Sequence, residues 1–263
     1  MTTRIEYKKR IKELFANRDF IWALSKKELK NKYSGSRLGI WWAVILPLLL
    51  ALSISLVFTK AFNVSIPKYT FFVLSAILPW AFFSQGLSEG ANSLIANRSI
   101  FRQSTAPKEI VPISSILGNF LNFIIGLAVI APIFAALNPR IMLFIVPLSM
   151  LLVFFLLFIA GLGLMISTAN VFYRDVSCFL SLGLMVWFWI TPVFYSMDMV
   201  PYPYKMIGIL NPVTYFMVNF RNFLYYGRFE SYPFLMSSFL ALVSFVAGYR
   251  VFLIHESELS KRL

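Results

Sequence analysis

The histidine and acidic side chains of this 263-residue sequence are few and scattered. Its one histidine, His255, is followed by Glu256 and Glu258 near the end of the chain, where a solvated role is commoner than a catalytic or ligating one. The eleven acidic residues form no cluster, and Asp175 and Asp198 stand singly between apolar runs. The sequence therefore predicts no catalytic residue and no metal site, because paired carboxylates for acid–base or metal chemistry are not visible.

Nucleotide and thiol chemistry are also absent from the pattern. No G-x-x-x-x-G-K-[ST] phosphate loop occurs, so the chain is not expected to bind ATP in the familiar way. Gly161 and Gly163 flank a leucine inside an apolar run and lack the rest of a dinucleotide fingerprint, which favours a role in helix packing. Cys178 is the only cysteine, so no disulfide can form within the chain.

The elements that must position the polar side chains are long apolar runs, because 59% of the residues are hydrophobic and only 13% are charged. A helix needs roughly 20 residues to cross a bilayer. The sequence therefore predicts an all-α membrane protein with six transmembrane helices in one domain, in which 1–37 is a cytoplasmic amphipathic segment, 38–255 the six-span core and 256–263 a cytoplasmic tail. The six uncharged runs of spanning length are 38–59, 69–88, 110–139, 141–173, 176–197 and 231–249.

Two runs depart from the usual spanning length. Run 141–173 would measure about 50 Å as one helix and exceeds the ~30 Å hydrocarbon core. It is expected to tilt, to break near Gly161 and Gly163, or to project into the cytoplasm. Run 206–220 has only 15 residues and contains Asn211 and Pro212, which suits a re-entrant or interfacial element.

The basic residues predict the orientation of the chain. Eleven of the 24 Lys and Arg residues lie within positions 1–38, which places the N-terminus in the cytoplasm. With six crossings, 18 basic residues face the cytoplasm and 6 face the other side, and both termini are cytoplasmic. The net charge of +13 would also suit a nucleic-acid binder, but the basic residues fall between apolar runs as membrane topology requires. Nucleic acid is therefore not an expected partner.

Three polar segments allow alternative interpretations. Apolar and basic residues alternate at helical spacing towards Tyr33, and this amphipathic helix can lie on an anionic leaflet, dock a cytoplasmic partner, or do both. Segment 98–110 is a short cationic connection that is either an ordinary loop or a knob fitting a partner's groove. The third segment is a stripe with i, i+4, i+7, i+8 spacing, which either enters the membrane beside water or marks where a helix leaves the bilayer. Its members are Gln85, Glu89, Asn92 and Ser93.

The connection 195–232 holds seven of the chain's twelve tyrosines. Tyrosine favours the boundary between lipid and water, which is the default explanation. Aromatic faces can also stack on sugar rings and give contact area at a low cost in side-chain entropy. A polymer that slides past would need many weak contacts of that kind, so the residues alone leave both interpretations open.

Seven short motifs follow one another along nearly the whole chain: KKELKNKY at 26–33, SRLGIWW at 36–42, SLIAN at 93–97, APKEIVP at 106–112, NVFYRDV at 170–176, TPVFY at 191–195 and LNPVT at 210–214. Each motif alone is weak, but the ordered set resembles the membrane subunits of type-2 ABC transporters that export polysaccharides (O-antigen and capsule) or teichoic acids. In that family they correspond to the entry to the first span, the end of the second span with the coupling helix, the loop before the fifth span, and the outer gate.

The resemblance implies a homodimer of permeases with two cytoplasmic ABC ATPase subunits. This chain would then be a transport subunit and not an enzyme, with ATP and Mg bound by the partner subunit. The substrate would be a lipid-linked glycan moved across the bacterial plasma (inner) membrane, and short helices between spans 5 and 6 would gate the outer mouth. The residues implied in ATPase coupling are Asn97, Arg98, Ile100, Phe101, Arg102 and Pro107. Those implied in the outer gate are Tyr202, Tyr204, Asn211, Pro212, Tyr215 and Arg221.

The candidate channel lining combines aromatic and polar residues at helical spacing. Trp80 and Phe83 are three residues apart and Trp187 and Phe194 seven apart, so each pair can share a helical face, although packing between helices or contact with lipid would use the same spacing. The full candidate set is Trp80, Phe83, Gln85, Glu89, Trp187, Phe194 and Tyr195.

Other functions stay open. Within the same family, the chain could be a permease for teichoic acid. Within the superfamily, it could export a small molecule or lipid, and small amphiphiles would then stimulate the ATPase. A membrane-embedded glycosyl- or phosphotransferase would need clustered carboxylates or histidines at one membrane face, and the scattered acidic residues argue against it.

Overall fold

The computed structural model describes Arg10, residues 12–98 and residues 106–262, and this part of the chain contains helices and no strand. The predicted all-α class is therefore confirmed for the described residues. The helices are α1 Arg18–Tyr33, α2 Trp42–Lys60, α3 Tyr69–Ala96, α4 Ile110–Leu137, α5 Ile145–Phe172, α6 Val176–Ile190, α7 Lys205–Leu210, α8 Pro212–Arg221 and α9 Ser231–Arg262. Short 3₁₀ segments lie at Gly39–Trp41, Pro139–Phe144 and Met197–Met199, and a π-helical turn lies at Asn222–Tyr226.

Among the described residues, five helical segments are long and apolar enough to cross a membrane. They correspond to the first, second, third, fourth and sixth predicted runs, and they make the chain a multi-pass membrane protein. Helix α6 has 15 residues, or about 22 Å, and is shorter than a ~30 Å hydrocarbon core. The sixth crossing therefore stays a prediction. The five segments are Gly39–Lys60, Tyr69–Ala96, Ile110–Leu137, Pro139–Phe172 and Ser231–Leu259.

Helix α6 ends earlier than the fifth apolar run, which extends to Met197. Pro192 lacks an N–H donor and disfavours the helical conformation of the residue before it. Thr191 accordingly has φ −84° and ψ 136°, which is extended backbone. Residues 191–195 form a non-helical segment between α6 and the following 3₁₀ turn, and we name it the α6–α7 turn.

The long fourth run changes its helical form at its start and does not break at its glycines. Pro139–Phe144 is a 3₁₀ turn. Helix α5 then runs unbroken over Ile145–Phe172, or about 42 Å. Gly161 and Gly163 lie inside this continuous helix, so of the three alternatives for this run the break near them is wrong.

Glycines allow α5 and α9 to approach with their backbones in contact. A Cβ atom added to Gly248 would lie 1.9 Å from the carbonyl oxygen of Gly161. A Cβ atom added to Gly161 would lie 2.3 Å from the carbonyl oxygen of Ser244. The interpretation of Gly161 as a helix-packing residue is confirmed.

Helix α3 is the central helix of the bundle, since 72% of its most apolar window is buried, against 22% for the segments of α2 and α5. Helix α8 lies in the same core. Phe216 of α8 is fully buried, and its ring centroid is 4.9 Å from that of Phe155 and 4.9 Å from that of Phe158. Of the two alternatives for run 206–220, this burial favours a re-entrant element over an interfacial one.

A second, smaller apolar cluster lies at the end of the bundle that holds the C-terminal turns of α9. Leu94, Val111, Leu164, Phe252 and Leu259 are buried in it. Helix α1 packs along α4 near this end of the bundle. We name this end the α1 end of the bundle.

The contact between α5 and α9 predicts that Gly248→Ala lowers thermal stability in detergent. The new methyl group would overlap the backbone of Gly161, which cannot move aside as a flexible side chain can. Overpacking of this kind costs about 1–3 kcal/mol. Gly183→Ala is the matched control, because nothing lies within 4 Å of the added atom and helix propensity gains up to about 1 kcal/mol. Equal melting temperatures of the two purified variants would contradict the prediction.

Candidate functional site

Three adjoining cavities form a row along the bundle. The first has a volume of about 490 Å³, the second about 580 Å³ and the third about 310 Å³. The first and second share Pro47 of α2 and Gln85 of α3, and the second and third share Trp189 of α6. The row begins at Tyr33 of α1 and ends beside the α6–α7 turn.

The character of the lining changes along this row. Polar side chains from α1, α3 and α4 join an apolar wall in the first cavity, where Lys32, Gln85 and Asn122 face Phe82. The second cavity is predominantly aliphatic and aromatic. The third is lined by aromatic rings from the α6–α7 turn and by Tyr204. Polar groups therefore concentrate near α1, whereas aromatic rings line all three cavities.

Four of the seven candidate lining residues border these cavities. Trp80 borders the second, Gln85 the first and second, and Phe194 and Tyr195 the third. The other three border none of these cavities. Phe83 is fully buried among core rings, Glu89 binds side chains of α1 and α4, and the Trp187 indole donates to Asn211 at 2.8 Å.

The candidate gate residues have different surroundings. Tyr204 borders the third cavity, whereas Tyr202 is 71% exposed. Asn211 caps α8 by accepting from the Val213 amide at 3.0 Å, and Pro212 occupies the first position of that helix. The Tyr215 hydroxyl donates to the Ile209 carbonyl at 2.8 Å. Arg221, the sixth candidate, binds the α6–α7 turn.

Side chains satisfy the carbonyl groups of the α6–α7 turn, which lack helical partners. Nη2 of Arg221 donates to the carbonyls of Pro192 at 2.8 Å and Val193 at 2.7 Å, and Nη1 donates to that of Tyr195 at 3.2 Å. The Tyr69 hydroxyl donates to the carbonyl of Phe194. Four carbonyls between residues 192 and 195 are therefore hydrogen-bonded by two side chains. Irregular backbone at membrane depth is tolerated only where such partners exist.

Arg221 makes these bonds from a buried position. Its exposed fraction is 3%, and the described residues provide it with no carboxylate within ion-pair distance. Its guanidinium carbon lies 3.9 Å from the ring centroid of Phe72, where the negative face of the ring favours a cation. The positive charge is thus compensated by carbonyl dipoles and the ring of Phe72. The hydrogen bonds of Arg221 hold α8 against the α6–α7 turn.

The polar stripe of α3 binds other helices. Gln85 and Glu89 accept hydrogen bonds from Lys32 of α1. Asn92 accepts one from Asn170 of α5 at 3.1 Å. These side chains hold the α1 end of the bundle together.

The segment implied in ATPase coupling is described at both of its flanks. The Asn97 amide donates to Glu28 of α1 at 3.3 Å, Arg98 donates to the Arg262 carbonyl of α9 at 3.3 Å, and Pro107 is buried. The remaining candidates, Ile100, Phe101 and Arg102, lie outside the described residues. Both flanks therefore contact the bundle at its α1 end.

Glu109 is a buried acid beside the second flank. Its Oε1 atom accepts from the Tyr249 hydroxyl of α9 at 3.1 Å, and its side chain is fully buried. Burial raises the pKa of the Glu109 carboxyl above its ordinary value, although the Glu109 backbone amide, Arg10 and the Tyr249 hydroxyl act in the opposite direction. The bond from Tyr249 ties the start of α4 to α9.

Sequence reasoning missed several of these residues. Asn119 and Asn122 are polar residues three apart inside the otherwise apolar run of α4, and that spacing places them on one helical face. Both contact α1, so this signal could have identified the contact between α1 and α4. Tyr69 and Glu109 carried no such signal, because nothing in the neighbouring sequence indicates the distant residue that each of them contacts.

The Arg221 contacts predict that Arg221→Met lowers stability in detergent by about 3 kcal/mol or more, since three buried carbonyls lose donors at about 1–3 kcal/mol each. Arg221→Lys keeps the charge but not the planar fork, so an intermediate loss is expected. Arg140→Met, at an exposed arginine, serves as the control. The measurement is the thermal unfolding midpoint of each purified variant, and a midpoint of Arg221→Met equal to that of the control would refute the role of Arg221.

The comparisons with known proteins agree with this architecture. Residues 19–225 match the family described as "ABC-2 type transporter". An "O-antigen export system permease protein RfbA" of Klebsiella pneumoniae is 28% identical over 236 residues, which cover 89% of this chain and 91% of the relative. A protein of the same name from Myxococcus xanthus is 28% identical over 249 residues, covering 94% and 95%. This multi-pass helical chain belongs to the ABC-2 type transporter family.

Proposed function

We propose that the chain is the permease subunit of an ATP-driven exporter of a lipid-linked polysaccharide of the O-antigen kind. The row of cavities is the observation that supports this most, because it extends from α1 to the α6–α7 turn and aromatic rings line each of its three cavities. The names of the relatives from Klebsiella pneumoniae and Myxococcus xanthus support the same substrate class. Aromatic rings suit a sliding glycan, since they offer broad contact at low entropic cost.

The working unit is a homodimer in which two copies close the row of cavities into one channel. Helices α2 and α6, which border the second cavity, each have apolar side chains that are largely exposed in the single chain. Leu46 is 55% exposed, Leu182 64%, Met185 68% and Trp189 59%. Helix α6 needs about 8 Å beyond its own length to complete a sixth crossing of a ~30 Å core, and the α6–α7 turn provides it.

The energy comes from ABC ATPase subunits, which membership of this family implies as partners. Two such subunits bind ATP and Mg and hold the segment 97–107, with Ile100, Phe101 and Arg102 as the contact residues. Both termini face the cytoplasm of a bacterium, and the chain forms one transmembrane domain in the inner membrane. Motion of the two ATPase subunits displaces the flanks of segment 97–107. The α6–α7 turn and the helices after it gate the opposite mouth of the channel.

The proposed dimer interface predicts that Gly183→Trp lowers the dimeric fraction. Gly183 lies on α6 with no atom within 4 Å of an added Cβ, so the site is open within one chain, and in the proposed dimer the indole would collide with the second copy. Val146→Trp on α5, at a residue 68% exposed, is the matched control. Native mass spectrometry of both variants measures the dimeric fraction, and equal fractions would remove α6 from the interface.

The proposed substrate predicts that Trp80→Ala and Tyr195→Ala reduce surface glycan. If each ring stabilises the rate-limiting state of glycan passage by about 1 kcal/mol, its removal lowers the export rate about fivefold. The assay supplies the chain and its ATPase to bacteria that lack their own O-antigen permease, and measures surface glycan and the amount of assembled complex.

Trp41→Ala is the control for this assay, because Trp41 is 58% exposed and borders none of the three cavities. Unchanged export in both cavity variants would remove these rings from the path. A wild-type complex that exports no glycan, but whose ATPase is stimulated by small amphiphiles, would replace the glycan with a small-molecule substrate.

A further inference from the structure

Lys32, near the C-terminal end of α1, donates hydrogen bonds to two other helices. Its ammonium nitrogen lies 2.7 Å from Oε1 of Gln85, 3.0 Å from Oε1 of Glu89 and 2.7 Å from Oδ1 of Asn119. The first two acceptors belong to α3 and the third to α4. An ammonium group has three N–H donors, so all of them have protein partners.

The acceptors of Lys32 also bind one another. The Asn119 amide donates to Oε2 of Glu89 at 2.6 Å and to the Ser115 carbonyl at 3.1 Å. Both carboxylate oxygens of Glu89 therefore have partners, and its charge is matched by that of Lys32. A cation at this edge of the first cavity would ordinarily suggest a phosphate site, but the donors of Lys32 are already used.

Helix α1 is held against α3 and α4 from Ser25 to Tyr33. Glu28 accepts from Asn97 at the end of α3, and the Tyr33 hydroxyl donates to Asn122 of α4. Near the first of these contacts, a Cβ atom added to Gly118 would lie 3.0 Å from the Ser25 carbonyl oxygen. The helix thus has close backbone packing in its middle and polar contacts from there to its C-terminal end.

We propose that Lys32 is a positioning residue which makes α1, α3 and α4 one rigid unit, so that displacement of segment 97–107 moves the wall of the first cavity. Asn97, at the start of that segment, contacts α1, and Lys32 and Tyr33 of α1 border the cavity. The inference rests on the proposed function, because it assigns the mechanical route between the ATPase contact and the channel. An isolated exposed ion pair contributes little, whereas a connected network near an apolar wall contributes more than its separate pairs.

A charge exchange between α1 and α3 tests this route. In the complete complex with its ATPase, we expect Lys32→Glu and Glu89→Lys each to lower glycan exported per ATP hydrolysed by about tenfold. The double variant, which restores opposite charges, should recover most of this ratio. Lys30→Glu is the matched control, since Lys30 is exposed on the same helix, and it should keep the wild-type ratio.

The ratio of export to hydrolysis separates positioning from folding, because misfolded complexes lose both quantities together. An unchanged ratio in Lys32→Glu, or a double variant no better than the single ones, would overturn the inference. A wild-type complex that exports no glycan would instead refute the proposed function.

A cross-link provides an independent test that does not depend on the charge variants assembling. A Cβ atom on residue 118 would lie 3.1 Å from the Cβ of Glu28, near the 3.5–4.5 Å separation found in disulfides. Glu28→Cys with Gly118→Cys, in a Cys178→Ser background, should cross-link on oxidation. A rigid unit retains export when cross-linked, as do the two single cysteine variants. Loss of export that a reductant reverses would show that α1 must slide on α4 and would refute the inference.

Discussion

The need of backbone carbonyls for hydrogen-bond donors governs the end of the bundle opposite α1. Helix α6 ends at Ile190, and Pro192 prevents it from continuing. The carbonyls of the α6–α7 turn therefore have no backbone N–H partners four residues further along the chain. Arg221 and Tyr69 replace those partners with side-chain donors. The turn holds Phe194 and Tyr195 at the third cavity, and the position of these rings therefore depends on a buried cation in another helix.

The few charged side chains within the bundle mainly form hydrogen bonds between helices. Lipid gives apolar helices little reason to prefer one neighbour over another, so polar contacts and close backbone packing decide the arrangement. Lys32 joins α1 to α3 and α4, Arg221 joins α8 to the α6–α7 turn, and Glu109 accepts from Tyr249 of α9. Each contact links segments far apart in sequence, and each lies at an end of the helical bundle. In a transport protein, polar contacts at the ends can hold the helices together while the middle of the substrate path stays free.

The sequence predicted the features that depend on local composition and missed those that depend on distant partners. Five apolar runs became helices of spanning length, because length and hydrophobicity are properties of a single segment. Apolarity continues through Val193 and Phe194, so it concealed the end of α6, although Pro192 was visible. The partners of Lys32 lie 53 to 87 residues away, and the carbonyls that Arg221 binds lie 26 to 29 residues before it. Residue spacing cannot reveal such pairs, and topology counting treated both cations as ordinary loop charges.

The contact between Gly161 and Gly248 also restricts where the bundle can deform. Backbones packed this closely leave little room for relative displacement, so we expect α5 and α9 to move as one body. Helix α2 is packed less tightly, since a Cβ atom added to Gly126 of α4 would lie 3.1 Å from the Ala43 carbonyl oxygen, and α2 and α6 leave much of their apolar surface uncovered. Widening of the cavity row is therefore expected to move α2, α6 and the unit of α1, α3 and α4 relative to α5 and α9, which stay fixed to each other.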